Sequence, residues 1–545
     1  MTETFDHIVI GGGSSGCVAA SRLVRDSGAR VLLLEAGHSH RHPLLDMPPG
    51  VFKLLKNGSK FFKTHQTTPQ AHLDGRVQEI PQGNVLGGGS SVNGQAYVRG
   101  RPSDYDEWQE ILRGNNDAAS WGWADVLPHF KRMEANSRFN NEYHGTEGEL
   151  IVSDPGHIDD MARWYVQSLQ AQGEPYNPDF NGPTQRGAGF FQFTYKRGQR
   201  ISAAYAFIAP LKNNPNLSVR LQAAVQRIII ENGRAVGVVY KDGSGLNEAR
   251  VDGEVILAAG ALVTPKILML SGIGPGDHLT SFGIDVVADH AGVGQNLKDH
   301  PDVSIVARAN GPYGYYRQDV GWNMIRNGLQ FKLFGTGPIT TTGLEAAAFV
   351  NPADREAPPN LEAYCIPVLY LDPETLKRVG DGHGVSIQIV VLKPQSRGEV
   401  KLASADPDDM PLVSPNMLSD QRDMDTLISG LRFFRRTLET KPMADHIEHI
   451  IAPNPDDFSD EALAAHCKKV VKTNYHPVGT AKMGADGDPQ AVLDSNMRVR
   501  GIAGLRVCDM SAAPEIVAGN TNAPAMMLGD RCADFIMERP PPSAA

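Results

Sequence analysis

The residues best suited to chemistry open the chain. Gly11, Gly13 and Gly16 follow the apolar, β-branched run Ile8 to Ile10 and lead into Cys17 to Val24, where apolar residues recur at helical spacing. That order reads as strand, tight turn and helix. Gly11 permits the turn, Gly13 lets the backbone approach a pyrophosphate, and Gly16 lets helix and strand pack closely. Diphosphate oxygens would sit on the free N–H groups of the helix start, around Ser14 and Ser15. A second apolar run, Ala29 to Leu34, ends in Glu35, 19 positions beyond Gly16, where a carboxylate can accept hydrogen bonds from a ribose diol. A glycine turn alone is a weak signal; with the strand, the helix and the acid in place it reads as a dinucleotide site. His476 is the other reactive candidate. It stands in Asn474-Tyr475-His476-Pro477-Val478-Gly479, where Pro477 and Gly479 restrict the backbone. Imidazole takes a proton near neutral pH with little tuning, yet a lone histidine is more often structural.

Several elements must hold these residues. The segment Gly83 to Gly94 carries glycines at 83, 87, 88, 89 and 94, too many for a helix or strand interior. Val85, Leu86, Val92 and Asn93 between them argue for a backbone that follows a ligand, not for a linker. Trp108, Trp121 and Trp123 read as core. The stretch 217–230 is β-rich, Arg234 to Tyr240 adds a strand before the turn Lys241-Asp242-Gly243, and Val255 to Leu257 is a buried strand running into Ala258-Ala259-Gly260. Ala261 to Leu270 then reads as a helix, a second strand–small-residue–helix crossing that returns to the first sheet. Residues 301–465 have another texture, with strands at Gly384 to Leu392 and Gly398 to Ala403. They suggest an antiparallel sheet with helices. The chain closes on a short strand ending in Asp509 and a helix Ala523 to Met537, for which Asn520 or Thr521 is a plausible cap. The fold class expected is α/β, with a Rossmann-like dinucleotide-binding domain (1–155, 215–305 and 466–545) and an inserted substrate domain (156–214 and 306–465).

Composition bounds the partners. A chain of 545 residues is too long for one core. A net charge of −10, with no basic run, argues against nucleic acid or an anionic membrane. The five cysteines, Cys17, Cys365, Cys467, Cys508 and Cys532, form no CxxC pair and suit reduced thiols, with no metal site expected. No apolar stretch approaches a membrane span, there is no room for a signal peptide of usual length before the first strand, and the simplest placement is cytoplasmic. The tail Pro540 to Ala545 reads as a frayed end.

These segments together resemble the glucose–methanol–choline (GMC) oxidoreductases, flavoproteins that oxidise alcohols. The first family signature is similar to Gly83-Asn84-x-Leu86-Gly87-Gly88-Gly89-Ser90-x-Val92-Asn93, followed by Tyr97, Gly100 and Asp106. The second is similar to Gly260-Ala261-x-x-Thr264-Pro265-x-Ile267-Leu268-x-x-Ser271-Gly272-Ile273-Gly274. Gly294 to His300 and His476 to Thr480 also look like family blocks. The resemblance implies FAD as cofactor, bound by Gly11, Gly13, Ser14, Ser15, Gly16, Glu35, Ala36, Gly87, Gly88, Ser91, Asn93, Gly94, Val225, Ala259, Gly260, Asp509, Asn520 and Thr521. Some members tether the flavin through a histidine where this chain has Val92, so non-covalent FAD is expected.

The resemblance also implies His476 as catalytic base, with Asn520 holding the substrate oxygen as charge develops. The reaction expected is oxidation of a primary alcohol, benzylic ones among the candidates, to the aldehyde, with hydride passing to the flavin and electrons on to O₂ or another acceptor. Choline, alkanols and polyols stay open as substrates, as does a lyase of the same family that cleaves cyanohydrins without net redox. His300 is read as a structural or hinge residue, Glu345 as either cavity wall or solvated charge, and Tyr313, Tyr315 and Tyr316 as packing on the domain face in preference to walls of an aromatic-accepting pocket. Oligomeric state is not readable.

Overall fold

A computed structural model describes residues 3–114 and 119–542. Of the expected frayed tail, Ser543 to Ala545 lie outside the described residues. The opening strand Glu3–Ile10 sits at the centre of a seven-stranded sheet. Its parallel neighbours are Val31–Glu35 on one side (Ile10 opposite Leu34) and Gly245–Leu257 on the other (Ile10 opposite Leu257). Ile8 to Ile10, Val31 to Leu34 and Val255 to Leu257 are buried without alternation, as in a parallel sheet covered on both faces. Leu217–Leu221 extends the sheet beyond Val31–Glu35, and Leu505–Val507 adds in parallel beside Gly245–Leu257. The antiparallel strands Arg234–Asp242 and Ala224–Glu231 complete it.

The expected crossing helix is Ser14–Arg22, shorter than the sequence reading because its last turn continues as a π-helix, Leu23–Ser27. A Cβ on Gly16 would meet the Gly11 carbonyl oxygen at 2.0 Å, so the predicted close packing is what glycine permits there. The closing helix Asn522–Ile536 lies equally tight on Ser14–Arg22, where a Cβ on Gly529 would come within 2.3 Å of the Ser15 carbonyl oxygen. Thr521 occupies the N-cap position of that helix but makes no side-chain cap bond, so the capping expected of Asn520 or Thr521 is not what these residues do. Trp108 and Trp121 are buried, and their indole N–H groups donate to the carbonyls of Glu515 and Ser495. All five cysteines are buried free thiols.

The second sheet is antiparallel, in the order Ile447–Ala452, Pro301–Ala309, Gly384–Val391, Leu361–Ile366, Ala346–Val350, Gly187–Phe190. One face carries Ile305, Ile387, Ala363 and Ala348 against the helices Asp160–Ala171 and Gln421–Leu438. Gly430 lets the second helix approach, since a Cβ there would meet Ile389 at 2.7 Å. The opposite face turns Tyr364, Ile366 and Gln388 toward the first lobe. The stretch 156–214, assigned whole to the substrate lobe by the sequence reading, divides between cores. Its helix and Gly187–Phe190 join the second, whereas Ile201, Ala204, Phe207 and Ile208 pack into the first. Among the described residues no helix is long and apolar enough to cross a membrane.

Candidate active site

A cavity of about 1380 Å³ runs from the N-terminal glycine turn to the face of the antiparallel sheet, lined by both lobes. That exceeds the usual volume of a small-ligand pocket and leaves room for a cofactor with a substrate beside it. Among its lining residues are Gly11, Gly13, Ser14, Ser15, Glu35, Ala36, Gly88, Asn93, Gly94, Val225, Ala259, Gly260, Asp509, Asn520 and Thr521. Gly89 and Gly260 have no atom within 4 Å of where a Cβ would stand, and Gly13 only one, at 3.8 Å. These open glycine walls, beside the unpaired N–H groups of a helix start, fit a diphosphate and the body of a dinucleotide. The two glycine loops touch: the Gly87 N–H donates to the Gly12 carbonyl at 2.6 Å, and a Cβ on Gly88 would meet Gly13 Cα at 2.8 Å.

Glu35 is buried, and burial pushes its carboxyl up to about 7 against the N–H groups of Gly12 (2.8 Å) and Gly37 (2.7 Å) that it accepts from. It therefore braces the glycine turn as well as facing the cavity. Asp509 accepts from the Gly260 N–H (2.8 Å), the Thr264 hydroxyl (2.6 Å) and the Ser511 N–H, which ties the 258–264 crossing to the C-terminal segment. Ser14 donates to Asn522 at 2.8 Å and anchors the first turn to the closing helix.

Where the lobes meet, His476, Asn520, Asn474, Tyr364 and Lys472 converge on the cavity wall. The His476 N–H donates to Asp299 (2.9 Å), which also accepts from Thr473, and Tyr475 takes a left-handed φ of +64° held by its N–H on Thr473 Oγ1 (2.7 Å). A Cβ on Gly479 would meet the Asn296 carbonyl oxygen at 2.8 Å. The imidazole is thus set on an over-determined turn. Its Nδ1 lies 2.9 Å from Nδ1 of His300, whose Nε2 faces two carbonyl oxygens, Leu392 (3.0 Å) and Val517 (3.1 Å). Nε2 of His300 donates to these carbonyls, which leaves its Nδ1 an acceptor and favours the proton of His476 on Nδ1, a nitrogen that also lies 3.4 Å from Nδ2 of Asn474. His476 Nε2 is then an unprotonated acceptor, with the Asn520 amide nitrogen 3.5 Å away. Burial, then His300 and Lys472, hold His476 well below the ordinary imidazole range, and burial holds His300 down to about 3. The pair is neutral at pH 7: a proton acceptor beside an amide donor.

Two family models described as GMC oxidoreductase match the chain, over residues 5–302 and 394–529. The chain belongs to the GMC oxidoreductase family. It is 39% identical over 544 residues to an alcohol dehydrogenase (acceptor) of Pseudomonas putida, covering 98% of this chain and 96% of that protein. It is 35% identical over 536 residues to an oxygen-dependent choline dehydrogenase of Brucella anthropi, with the same coverage. Its fold is similar to that of pyridoxine 4-oxidase from Mesorbium loti, with a TM-score of 0.86 at 26% identity, covering 97% of this chain and 98% of that one. GMC oxidoreductases bind FAD and act on CH–OH groups, and so does this one.

Not every expected residue of this GMC oxidoreductase reaches the cavity. Gly16, Gly87 and Ser91 do not line it. Gly16 and Gly87 shape the backbone, and the Ser91 hydroxyl turns back to the Leu86 carbonyl (2.8 Å). Val92 lines the cavity and offers no nucleophile. His300 is buried beside the candidate base, which agrees with the structural role among its two expected ones. Tyr315 lines the cavity, the less favoured of its two expected places, and its hydroxyl donates to Glu345 (2.5 Å), as does Thr341 (2.6 Å). Glu345 is neither wall nor solvated: it is fully buried behind Tyr315, and burial pushes it up to about 7. Tyr313 and Tyr316 do pack, edge-on to Trp164 and His383. Arg200, unremarked in the sequence, supports the glycine loop through Asn93 (2.7 Å) and the Ser90 carbonyl (3.3 Å). Among the described residues one cluster has metal-ligand types, His129, Asp530 and Asp534, but its carboxylates pair with Arg22 and Arg132, and none of the three lines the cavity.

Proposed function

We propose that this enzyme oxidises a primary alcohol with an apolar or aryl body to its aldehyde, with His476 as the base and Asn520 as the donor to the substrate oxygen. The observation that carries the reading is the unprotonated Nε2 of His476 beside the Asn520 amide, at the cavity wall where the lobes meet. His476 Nε2 takes the hydroxyl proton, and the Asn520 amide holds the oxygen as negative charge develops. Bound FAD supplies the hydride acceptor for the carbinol C–H. FAD is held without a covalent bond, because Val92 stands where some family members place a histidine.

The substrate side of the cavity supports an apolar body. Phe191, Ile339, Leu344, Tyr364, Ile366 and Val368 line it. Glu345 is fully buried behind Tyr315, which stands between its carboxylate and a cationic substrate. Anaerobic mixing with benzyl alcohol, 1-alkanols, polyols and choline tests the reading. Apolar primary alcohols should bleach the flavin and choline should not. His476→Ala should keep its flavin and lose at least ~10²-fold in the rate of reduction. Reduction at the wild-type rate would remove His476 as base, and cyanide release from a cyanohydrin with unbleached flavin would make the protein a lyase.

A further inference from the structure

We infer that the helix Gly321–Phe334 docks this enzyme on an anionic lipid bilayer, with the mouth of its cavity turned to the membrane. The helix is amphipathic in reverse. Trp322, Ile325, Leu329 and Leu333 recur at helical spacing and are 72%, 49%, 52% and 67% exposed, with Phe334 at 74%. The uncharged polar residues of the helix face the protein: Asn323 and Gln330 are half-buried, and Asn327 is buried, its amide donating to the Gln318 carbonyl at 2.9 Å. A helix that serves only the fold buries the opposite stripe. The apolar surface continues onto the helix Gly50–Lys56 through exposed Phe52 and Leu55, and a Lys53–Asp319 ion pair (3.3 Å) joins the two segments. Phe52, Leu55, Met324 and Gly328 line the cavity, so this surface surrounds its mouth.

Charge identifies the occupant. The protein as a whole carries −10, yet exposed Lys53, Lys56, Arg326 and Lys332 stud these two helices. Exposed Arg197 adds to them from a hairpin turn whose Gly198 abuts the Phe331 ring. The acid among them, Asp319, is paired with Lys53. A second copy of the same face would set these cations against one another across a two-fold axis. Anionic headgroups meet the cations while the acyl boundary receives Trp322, Leu329, Leu333 and Phe334, which is the chemistry of an interfacial helix. The expectation of no membrane partner rested on net charge, which averages this patch away. Docked so, the cavity draws apolar alcohols from the bilayer instead of from water.

Flotation of the FAD-loaded enzyme at low ionic strength tests the inference. Vesicles of phosphatidylcholine with about 30% phosphatidylglycerol should carry the protein, and phosphatidylcholine alone should not. Leu329→Asp with Leu333→Asp, and separately Arg326→Glu with Lys332→Glu, should each cut the floated fraction at least ~10-fold. Both variants should leave flavin reduction by dissolved benzyl alcohol unchanged, which separates loss of docking from loss of fold. Tryptophan emission should shift to shorter wavelength on the mixed vesicles, and Trp322→Phe should abolish that shift. Absence of flotation, or flotation undiminished in the Asp variant, would overturn the inference. So would a dimer in solution that the Asp variant turns into a monomer, which would assign the face to a second copy.

Discussion

His300 decides which nitrogen of His476 is available. Its Nε2 is committed to two carbonyls 92 and 217 positions away, so its Nδ1 can only accept. His300→Leu removes that acceptor and frees the proton of His476 to move to Nε2, where it blocks the base. We expect flavin reduction to slow about 10- to 100-fold, the usual effect of losing a group that orients a histidine. His300→Asn restores an acceptor and should recover much of the rate; equal loss in both variants would make the role one of packing alone. The depressed pKa of His476 sets the pH dependence. The base is unprotonated at neutral pH, so the rate of reduction should be flat from pH 7 to 9. It should fall only as acid protonates Nε2, below the ordinary imidazole value of about 6.5. A single inflection, on the acid side, is expected because Asn520 does not titrate, and stopped-flow reduction across pH checks it. His300 was visible in the sequence as a family residue, but its contact with a ring 176 positions on was not.

Among the elements, the antiparallel sheet carries an unresolved cost. Glu362 lies in Leu361–Ile366, fully buried between Phe349 and Val390 in the register, and neither carboxylate oxygen has a hydrogen-bond partner. Burial pushes it up to about 8. A carboxyl raised in the folded state keeps a proton that the unfolded chain releases near pH 4.3, so its contribution is full below that pH. Stability then declines as pH rises toward 8, on the order of 1 kcal/mol per unit. Glu362→Gln cannot ionise and should unfold at higher temperature than wild type at pH 8–9, with the difference vanishing near pH 4. Thermal melts across that range decide it; a variant less stable at every pH would show that the carboxylate has a partner. The sequence reading named no strand at 361–366, and the neighbours of its acid depend on the strands paired with it.

For the whole molecule, the cofactor site spans lobes whose cores are separate. The Thr342 hydroxyl of the second lobe donates to the Gly94 carbonyl of the glycine loop at 3.0 Å, closing one lobe on the other at the cavity wall. A ligand bound there without a covalent bond stabilises by mass action. Melting temperature should therefore rise with free FAD, by about 2.7 kcal/mol of stability at a hundred times Kd. Denatured protein passed through a filter should leave its yellow colour in the filtrate. Colour retained on the chain would contradict the role given to Val92.

What the sequence by itself determined is local: the glycine turn, its flanking strand and helix, Glu35, and the constrained turn that bears His476. Each depends on backbone freedom or on apolar spacing over a few residues, which neighbouring residues largely dictate. Only the tertiary structure decided that His300 sets the tautomer of His476, that Glu345 withdraws behind Tyr315, and that the helix Gly321–Phe334 turns its apolar stripe outward. Periodicity says which residues share a face. The direction that face points is settled by packing against segments distant along the chain, and no local pattern encodes it.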